Sequence, residues 1–394
     1  MKIGVLCESF VRWAGGVDFI RMLVGSLTAL DNRELEIHVL IPDRGPIFSI
    51  RNEIAARIRG QLRSSVANQN GSVISEIPND DDNRVTFHHI DAGRRALYSI
   101  CRRLQIDAIV PAAGSLGRTF PIPWVGYIYD FQHKYFPQYF SSLERVRRDV
   151  VFRRMVRDAR AVIVNSRAAA ADASKYLGET SAEIVALPFS AAPNEEWFTD
   201  RAGTREQYGI SKRYFLISNQ FWLHKRHDIA FAAFRDLSRE DPSVQLVCTG
   251  QTKDFRDPKY FSRLTAYLQA NGLSDAVKIL GLIPKRDQIE LMKGSIAVVQ
   301  PTSFEGGPGG GSVYDAISLG VPTIVSDIPI NREIEKWVTS YFPLNDAIAL
   351  YSAMRVMTQG APSRIDPESL LERGRERQRS CGDVLLATLN KHLR

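Results

Sequence analysis

Two doubly wound α/β domains facing each other across a cleft are the fold class this sequence predicts, on three observations. The chain has 394 residues, too many for one ordinary core. Short apolar strands alternate with helical stretches in two successive series, the pattern of parallel sheets wrapped by helices. Between the series lies Pro188-Phe-Ser-Ala-Ala-Pro193, a proline-bracketed linker. Residues 1–190 and 191–375 are therefore expected to form separate Rossmann-like units, with a ligand between the carboxyl ends of their sheets.

In the first series Lys2–Leu6, Glu36–Leu40, Val85–His88, Ala108–Val110, Trp124–Tyr129 and Ala161–Val164 have the apolar runs of buried strands. Asp18–Leu30 and Leu97–Leu104 between them carry helical spacing. The second series has strands at Tyr214–Ser218, Val244–Thr249, Val277–Leu280, Ala297–Gln300 and Thr323–Ser326, and helices at His227–Leu237, Tyr260–Gln269, Arg286–Met292 and Val313–Leu319. Gln61–Asn79 is rich in Ser, Asn and Gly and runs into Asp80, Asp81 and Asp82, so Ile54–Asp82 is expected to be a flexible insertion or lid. Three adjacent acids can hold a cation but are more often simply solvated.

Hydrophobic content of 44% and charged content of 24% are those of a soluble globular protein. The N-terminus turns polar too soon for a signal peptide, and no run approaches the roughly twenty apolar residues of a membrane span. Cys7, Cys101, Cys248 and Cys381 share no metal-like spacing, which fits free thiols in a reducing compartment. The expectation is a cytoplasmic protein. The net charge of +7 is uneven: Leu143 to Ala161 holds seven arginines against three acids. Leu143, Val146, Val150, Met155 and Ala159 recur at near-helical spacing, so this helix is expected to pack that face inward. Its arginines are then either a solvated face or a seat for anionic lipid or a phosphorylated acceptor, which would place the protein at the inner face of a membrane. Aromatics are not interleaved with the basic residues here, which argues against nucleic acid.

Four stations carry chemistry. Gln300-Pro-Thr-Ser-Phe-Glu305 is followed by Gly306, Gly307, Gly309, Gly310 and Gly311, then by a helix expected to open at Ser312. Unobstructed amides at a helix start suit an anion, and the Glu305 carboxylate beside them can grip hydroxyls. Together they suggest a sugar attached to a phosphate. Ser312 and Asp315 also fit a capping pattern. Trp13-Ala-Gly-Gly-Val17 puts Gly15 and Gly16 between the first strand and its helix, either for a phosphate or as a tight turn. Asp130, His133 and Lys134 follow a strand end, where His133 either bonds a sugar hydroxyl or is structural. Lys225 and Arg226 precede a helix and can neutralise a diphosphate, or form an ordinary basic turn.

Together the four stations resemble the GT-B glycosyltransferases, most closely the family 4 (group 1) retaining nucleotide-sugar transferases. The likeness is strongest from Tyr214 to Glu333. It implies that Glu305 contacts the donor sugar and that amides around Gly309, Gly310, Gly311 and Ser312 hold the sugar and diphosphate. It further implies phosphate contacts from Lys225, a first-domain glycine loop at Gly15 and Gly16, and a cleft histidine at His133 beside Asp130. The backbone around Gly281–Pro284, Ile283 within it, is expected to meet the base. Two departures stand out. The family's second acid falls at Val313, with Asp315 the nearest carboxylate, and an arginine usual five positions before the lysine is Gln220. The stretch from about 376 to 394 looks like the family's helix that crosses back to the first domain.

The resemblance implies retaining transfer of a hexose or deoxyhexose from a nucleoside-diphosphate sugar to a glycan or lipid-linked acceptor, plausibly in surface-polysaccharide synthesis. The departing phosphate takes the acceptor proton, so neither a cofactor nor a metal is expected. The rivals are a nucleotide-sugar epimerase or phosphorylase on the same fold, and a catalytically degenerate subunit that binds a partner. A nicotinamide dehydrogenase lacks its dinucleotide fingerprint here.

Overall fold

A computed structural model describes residues 1–10, 14–42, 83–360 and 365–393. The proposed insertion at Ile54–Asp82, with Asp80–Asp82, lies outside the described residues, as does Trp13.

The first sheet has seven parallel strands in the order β3-β2-β1-β4-β5-β6-β7. They are β1 (Lys2–Leu6), β2 (Glu36–Pro42), β3 (Val85–Ile90), β4 (Ala108–Ala112), β5 (Trp124–Ile128), β6 (Ala161–Val164) and β7 (Glu183–Ala186). The central strands are buried on both faces, as continuous apolar runs require. Helix α1 (Ala14–Thr28) lays Phe19, Ile20, Leu23, Val24 and Leu27 on one face of the sheet. Helices α2 (Arg94–Leu104), the single turn α3 (Gln132–Tyr135), α4 (Ser142–Asp158) and α5 (Arg167–Leu177) follow, and α2 and α4 cover the other face through Leu97, Ile100, Phe152, Met155 and Val156.

The second sheet has six parallel strands in the order β10-β9-β8-β11-β12-β13: β8 (Arg213–Ser218), β9 (Val244–Thr249), β10 (Val277–Gly281), β11 (Val298–Gln300), β12 (Thr323–Asp327) and β13 (Ser340–Pro343). After the short α6 (Thr204–Gln207), helices α7 (His227–Glu240), α8 (Tyr260–Ala270), α9 (Lys285–Lys293), α10 (Gly310–Ser318) and α11 (Ala347–Gln359) flank it. Helices α7, α8 and α11 pack on one face, α9 and α10 on the other. Each sheet has the doubly wound arrangement that the sequence predicts. The edge strands β7 and β13 escape the sequence pattern, because half-buried four-residue runs lack its apolar density.

Helix α12 (Pro367–His392) starts earlier than the sequence suggests, capped by the Asp366 carboxylate on the Ser369 amide. It leaves the second sheet beside Gly320, where Leu370 packs, and ends in the first-sheet core through Cys381, Leu385 and Leu389. The crossing with α1 is close: a Cβ at Gly382 would lie 2.1 Å from the Ser26 carbonyl oxygen.

The expectation for α4 holds for Met155 and Ala159, which are buried, and fails for the other three residues. Leu143, Val146 and Val150 are exposed, at 78%, 59% and 42%, while Phe152, Met155 and Val156 face the sheet. At 100° per residue the two sets lie on opposite sides of the helix, and the larger, more closely clustered set takes the core. The outward face thus joins three aliphatic side chains to Arg147, Arg153, Arg154 and Arg157.

Candidate functional site in the interdomain cleft

β11 ends in Gln300, which is fully buried and holds the following loop together. Its amide nitrogen donates to Glu305 Oε1 at 2.7 Å and to the Gly309 carbonyl at 2.8 Å, and its oxygen accepts from Asn219. Lys225 Nζ meets the same Glu305 oxygen at 2.5 Å. Glu305 is thereby fixed in rotamer, with its side chain only 9% exposed.

The five glycines have distinct reasons. A Cβ at Gly306 would lie 2.7 Å from the Tyr129 carbonyl oxygen of the first domain, and one at Gly307 would lie 3.3 Å from Asn165 Cβ. These two let the domains meet. Gly309 and Gly310 have φ of +69° and +62°, conformations that disfavour a side chain. Gly311 is exposed with nothing within 4 Å of a Cβ, so it faces open cleft.

Helix α10 opens at Gly310, two residues before the expected Ser312, with Gly309 as its cap. The Ser312–Asp315 capping pair therefore does not form, since no side chain caps this helix. Ser312 lies inside the first turn, buried, its hydroxyl without a hydrogen-bond partner among the described residues. Asp315 pairs instead with Lys285 of α9. Burial raises its carboxyl above the usual range, opposed by Lys285, and the charges of Asp18 and Arg21 on α1 reach it across the cleft. Gly15 and Gly16 open that same α1, Gly15 exposed and Gly16 buried. Val313, at the family's second-acid position, is fully buried against Phe189 and Ile317.

The basic station divides. A short 3₁₀ turn, Leu223–Lys225, is stapled to the glycine loop because the His224 carbonyl accepts from the Ser303 amide at 2.8 Å. That staple directs Lys225 to Glu305. Arg226 is held by partners of its own domain, with Tyr139 of the first domain near enough to act on its charge. It takes φ +52° and its guanidinium binds Asp228 at 2.8 Å and Asn345. His224 and His227 are buried, and burial pushes their pKa values down to about 2 and about 3, leaving both neutral.

On the first-domain edge, Asp130 accepts from the Gln132 amide at 2.9 Å and lies 3.5 Å from Arg148, with burial raising its carboxyl. Its Cβ is 3.2 Å from where a Gly306 Cβ would stand, so it abuts the donor-side loop. His133 is not presented to the cleft. Its ring is 1% exposed, packed against Phe140 and Phe152, with Nε2 3.0 Å from Asp149, which Lys134 also binds at 2.7 Å. The one-turn helix α3 rotates it inward. Ile283 sits after β10, partly buried beside Leu280 and Met292.

The structure thus gathers Glu305, Lys225, Gly309–Gly311, Ser312 and Asp130, and sets Arg226 and His133 aside in pairs of their own. Residue-by-residue reasoning missed Gln300 and Asn331. Asn331 is fully buried, accepts from the Gly309 amide at 2.8 Å and donates to the Ser326 carbonyl at 2.9 Å. A polar residue closing an apolar strand was the available signal for Gln300; a loop asparagine carries none.

Residues 200–342 match the family described as glycosyl transferases group 1. No curated protein matches the sequence. Among solved structures, HepE of Anabaena in complex with UDP and glucose is 16% identical, covering 99% of this chain and 100% of that one with a TM-score of 0.65. Sucrose-phosphate synthase from Thermosynechococcus elongatus is also 16% identical, over 99% and 97%, at 0.63. WaaG, a glycosyltransferase involved in lipopolysaccharide biosynthesis, is 15% identical over 100% and 98%, at 0.56. The chain has the GT-B fold of two Rossmann-like domains, and residues 200–342 are similar to the glycosyl transferases group 1.

Proposed function

We propose that this protein is a retaining glycosyltransferase that moves a hexose or deoxyhexose from a nucleoside-diphosphate sugar to a glycan or lipid-linked acceptor. The observation that carries the reading is Glu305, fixed by Gln300 and Lys225 beside an uncapped helix start that faces open cleft at Gly311. A carboxylate held in this way accepts hydroxyl donors from a sugar. The amides of α10 and the spare Ser312 hydroxyl receive the diphosphate. As the glycosidic bond breaks, negative charge grows on the departing phosphate, where the helix end contributes about 0.3–1 kcal/mol and each charge-assisted hydrogen bond about 1.5–3 kcal/mol. Each 1.4 kcal/mol is about tenfold in rate.

In this reading residues 191–375 bind the donor, with Ile283 near the base, and residues 1–190 present the acceptor, with Asp130 nearest the sugar. Asp315, tied to Lys285, is released to the ribose or serves α9–α10 packing. Charge stabilisation is assigned to Lys225 and the helix, so a chelator leaves turnover unchanged. HepE binds UDP and glucose and WaaG acts in lipopolysaccharide biosynthesis, which supports a nucleotide-sugar donor and a surface-glycan product. The outward face of α4, rich in arginine and aliphatic side chains with Asp158 pairing Arg157 at its end, complements anionic lipid head groups. No described helix is long and apolar enough to cross a membrane.

The test is thermal stabilisation by GDP, UDP, dTDP and ADP, followed by transfer from the corresponding sugar donors. One nucleotide should raise the melting temperature, and Lys225→Ala should abolish that rise. No response to any nucleotide sinks the transferase reading and favours a partner-binding subunit, for which the buried Val313 in place of a second acid is the supporting observation. Sugar turnover without acceptor would indicate an epimerase.

A further inference from the structure

The segment Asn331–Trp337, a 3₁₀ stretch after β12, touches both the glycine loop and the first domain. Through Asn331 it holds the amide of Gly309, the cap of α10. Two residues on, Glu333 leaves the second domain: its carboxylate accepts from the Arg167 amide at 2.9 Å and the Ala168 amide at 2.8 Å, the first two residues of α5 in the first domain. The Ser166 hydroxyl takes the Ala169 amide. Three amides that a helix start leaves open are thus satisfied, two of them from across the cleft. The Glu333 side chain is 15% exposed, and a negative charge there is favoured by the helix dipole.

The same stretch of the first domain meets the other end of the donor loop, where Asn165 lies under Gly307. Asn165 is itself held by the Tyr127 hydroxyl at 2.8 Å. The loop from Gly306 to Gly309 is therefore bounded by first-domain atoms at one end and by a residue anchored two positions from Glu333 at the other. Asn331 cannot shift freely, since Ser326 and Tyr341 also bind it.

We propose that Glu333 is a positioning residue that couples docking of the two domains to the geometry of the donor loop. Its carboxylate clasps the start of α5, and that clasp adds a first-domain hold to the segment whose Asn331, tied also to Ser326 and Tyr341, fixes Gly309 and the opening of α10. The inference rests on the reading of that loop as the donor site. It differs from a simple interface contact in predicting that a change on the first domain alters the order of a second-domain loop.

Two substitutions test it from opposite sides. Glu333→Gln keeps shape and volume but turns an NH₂ toward one of the two amides. Arg167→Pro removes one amide from the first helical position, where proline is favoured, after a residue (Ser166) already extended. Both are measured in the full chain without substrate, by small-angle scattering and by hydrogen exchange of the peptide covering 305–312, so the outcome does not depend on any activity being found. Both variants should show a larger radius of gyration and exchange about tenfold faster in that peptide, with the protection of α7, α8 and α12 unchanged. Where turnover is measurable, donor KM should rise about tenfold with kcat altered less than about twofold, within the usual span of coupling between sites. Unchanged scattering and exchange in both variants overturns the proposal. So does a uniform rise in exchange along the chain, which would make Glu333 a stability residue only.

Discussion

The two lips of the cleft are built in opposite ways. On the second-domain side the lip is made of side chains that are buried and cross-bonded: Gln300, Lys225 and Glu305 hold one another, and with Asn331 they hold the glycine loop. On the first-domain side backbone takes a larger share, through the Tyr129 carbonyl and the Arg167 and Ala168 amides, beside the Asn165 side chain and the Tyr135 and Phe136 rings on Phe304, while His133, Lys134 and Asp149 close among themselves. The difference teaches where each lip can vary. A network of named side chains tolerates few substitutions, whereas backbone contacts impose only small residues opposite them and leave the remaining surface free. The family match covers 200–342, which includes the side-chain-built lip.

The largest effect should come from emptying the donor lip. Glu305→Ala leaves Lys225 and Gln300 without their acceptor and should lower kcat for sugar transfer by about two to three orders of magnitude, with nucleotide-induced thermal stabilisation retained. A turnover loss under tenfold would move the sugar contact elsewhere. Next, Gly306→Ala attacks the place where the lips touch. Its Cβ cannot remain 2.7 Å from the Tyr129 oxygen, so the domains must separate locally, and transfer should fall about ten- to hundredfold while the isolated fold keeps its melting temperature. Wild-type kinetics in that variant would show that the contact is dispensable.

A third prediction concerns what stiffens the donor lip. His227 stacks on Phe221 with ring centroids 4.1 Å apart, and neither ring nitrogen has a partner. Because burial lowers its pKa to about 3, the unfolded chain takes up a proton below about pH 6.5 that the folded one cannot. Stability from this group is complete above that pH and falls as pH drops from 6.5 toward 3, by about 1.4 kcal/mol per unit. His224 adds a like term over the same window. His227→Phe should therefore lower the slope of denaturation free energy between pH 6 and pH 5 by about 1 kcal/mol per unit, with little change at pH 7. An unaltered slope would assign the acid sensitivity elsewhere. The smallest effect belongs to the outer face of the first domain: Arg153→Ala with Arg154→Ala should weaken binding to anionic vesicles by about 1 kcal/mol per arginine and leave transfer to a soluble acceptor untouched. Equal binding by wild type and variant would return α4 to an ordinary solvated helix.

What was legible follows the same division. Apolar runs revealed the central strands because burial on both faces leaves a continuous signal, and glycine density marked the donor loop. The identity of each glycine's constraint was not legible, since Gly306 and Gly307 answer to atoms more than a hundred residues away. Nor was the start of α10, which the left-handed Gly309 sets two residues ahead of Ser312. His133 and Arg226 show the limit for charged and polar residues: a single turn of helix or one positive φ decides which way they face, and spacing in the sequence carries neither. In α4 the pattern was visible and its direction was not, because two apolar stripes were available and only the sheet selects between them.

Helix α12 also has a bearing on the order of events at the ribosome. The core of the first domain lacks Cys381, Leu385 and Leu389 until synthesis has passed position 389, whereas every described strand of the second sheet has been made by Pro343. At about 5–20 residues per second, the earlier-made domain waits seconds longer than its successor for the residues that seal it. During that interval the surface of α1 around Ser26, later covered by Gly382, is open to water and to other chains. The domain synthesised first is thus the one finished last.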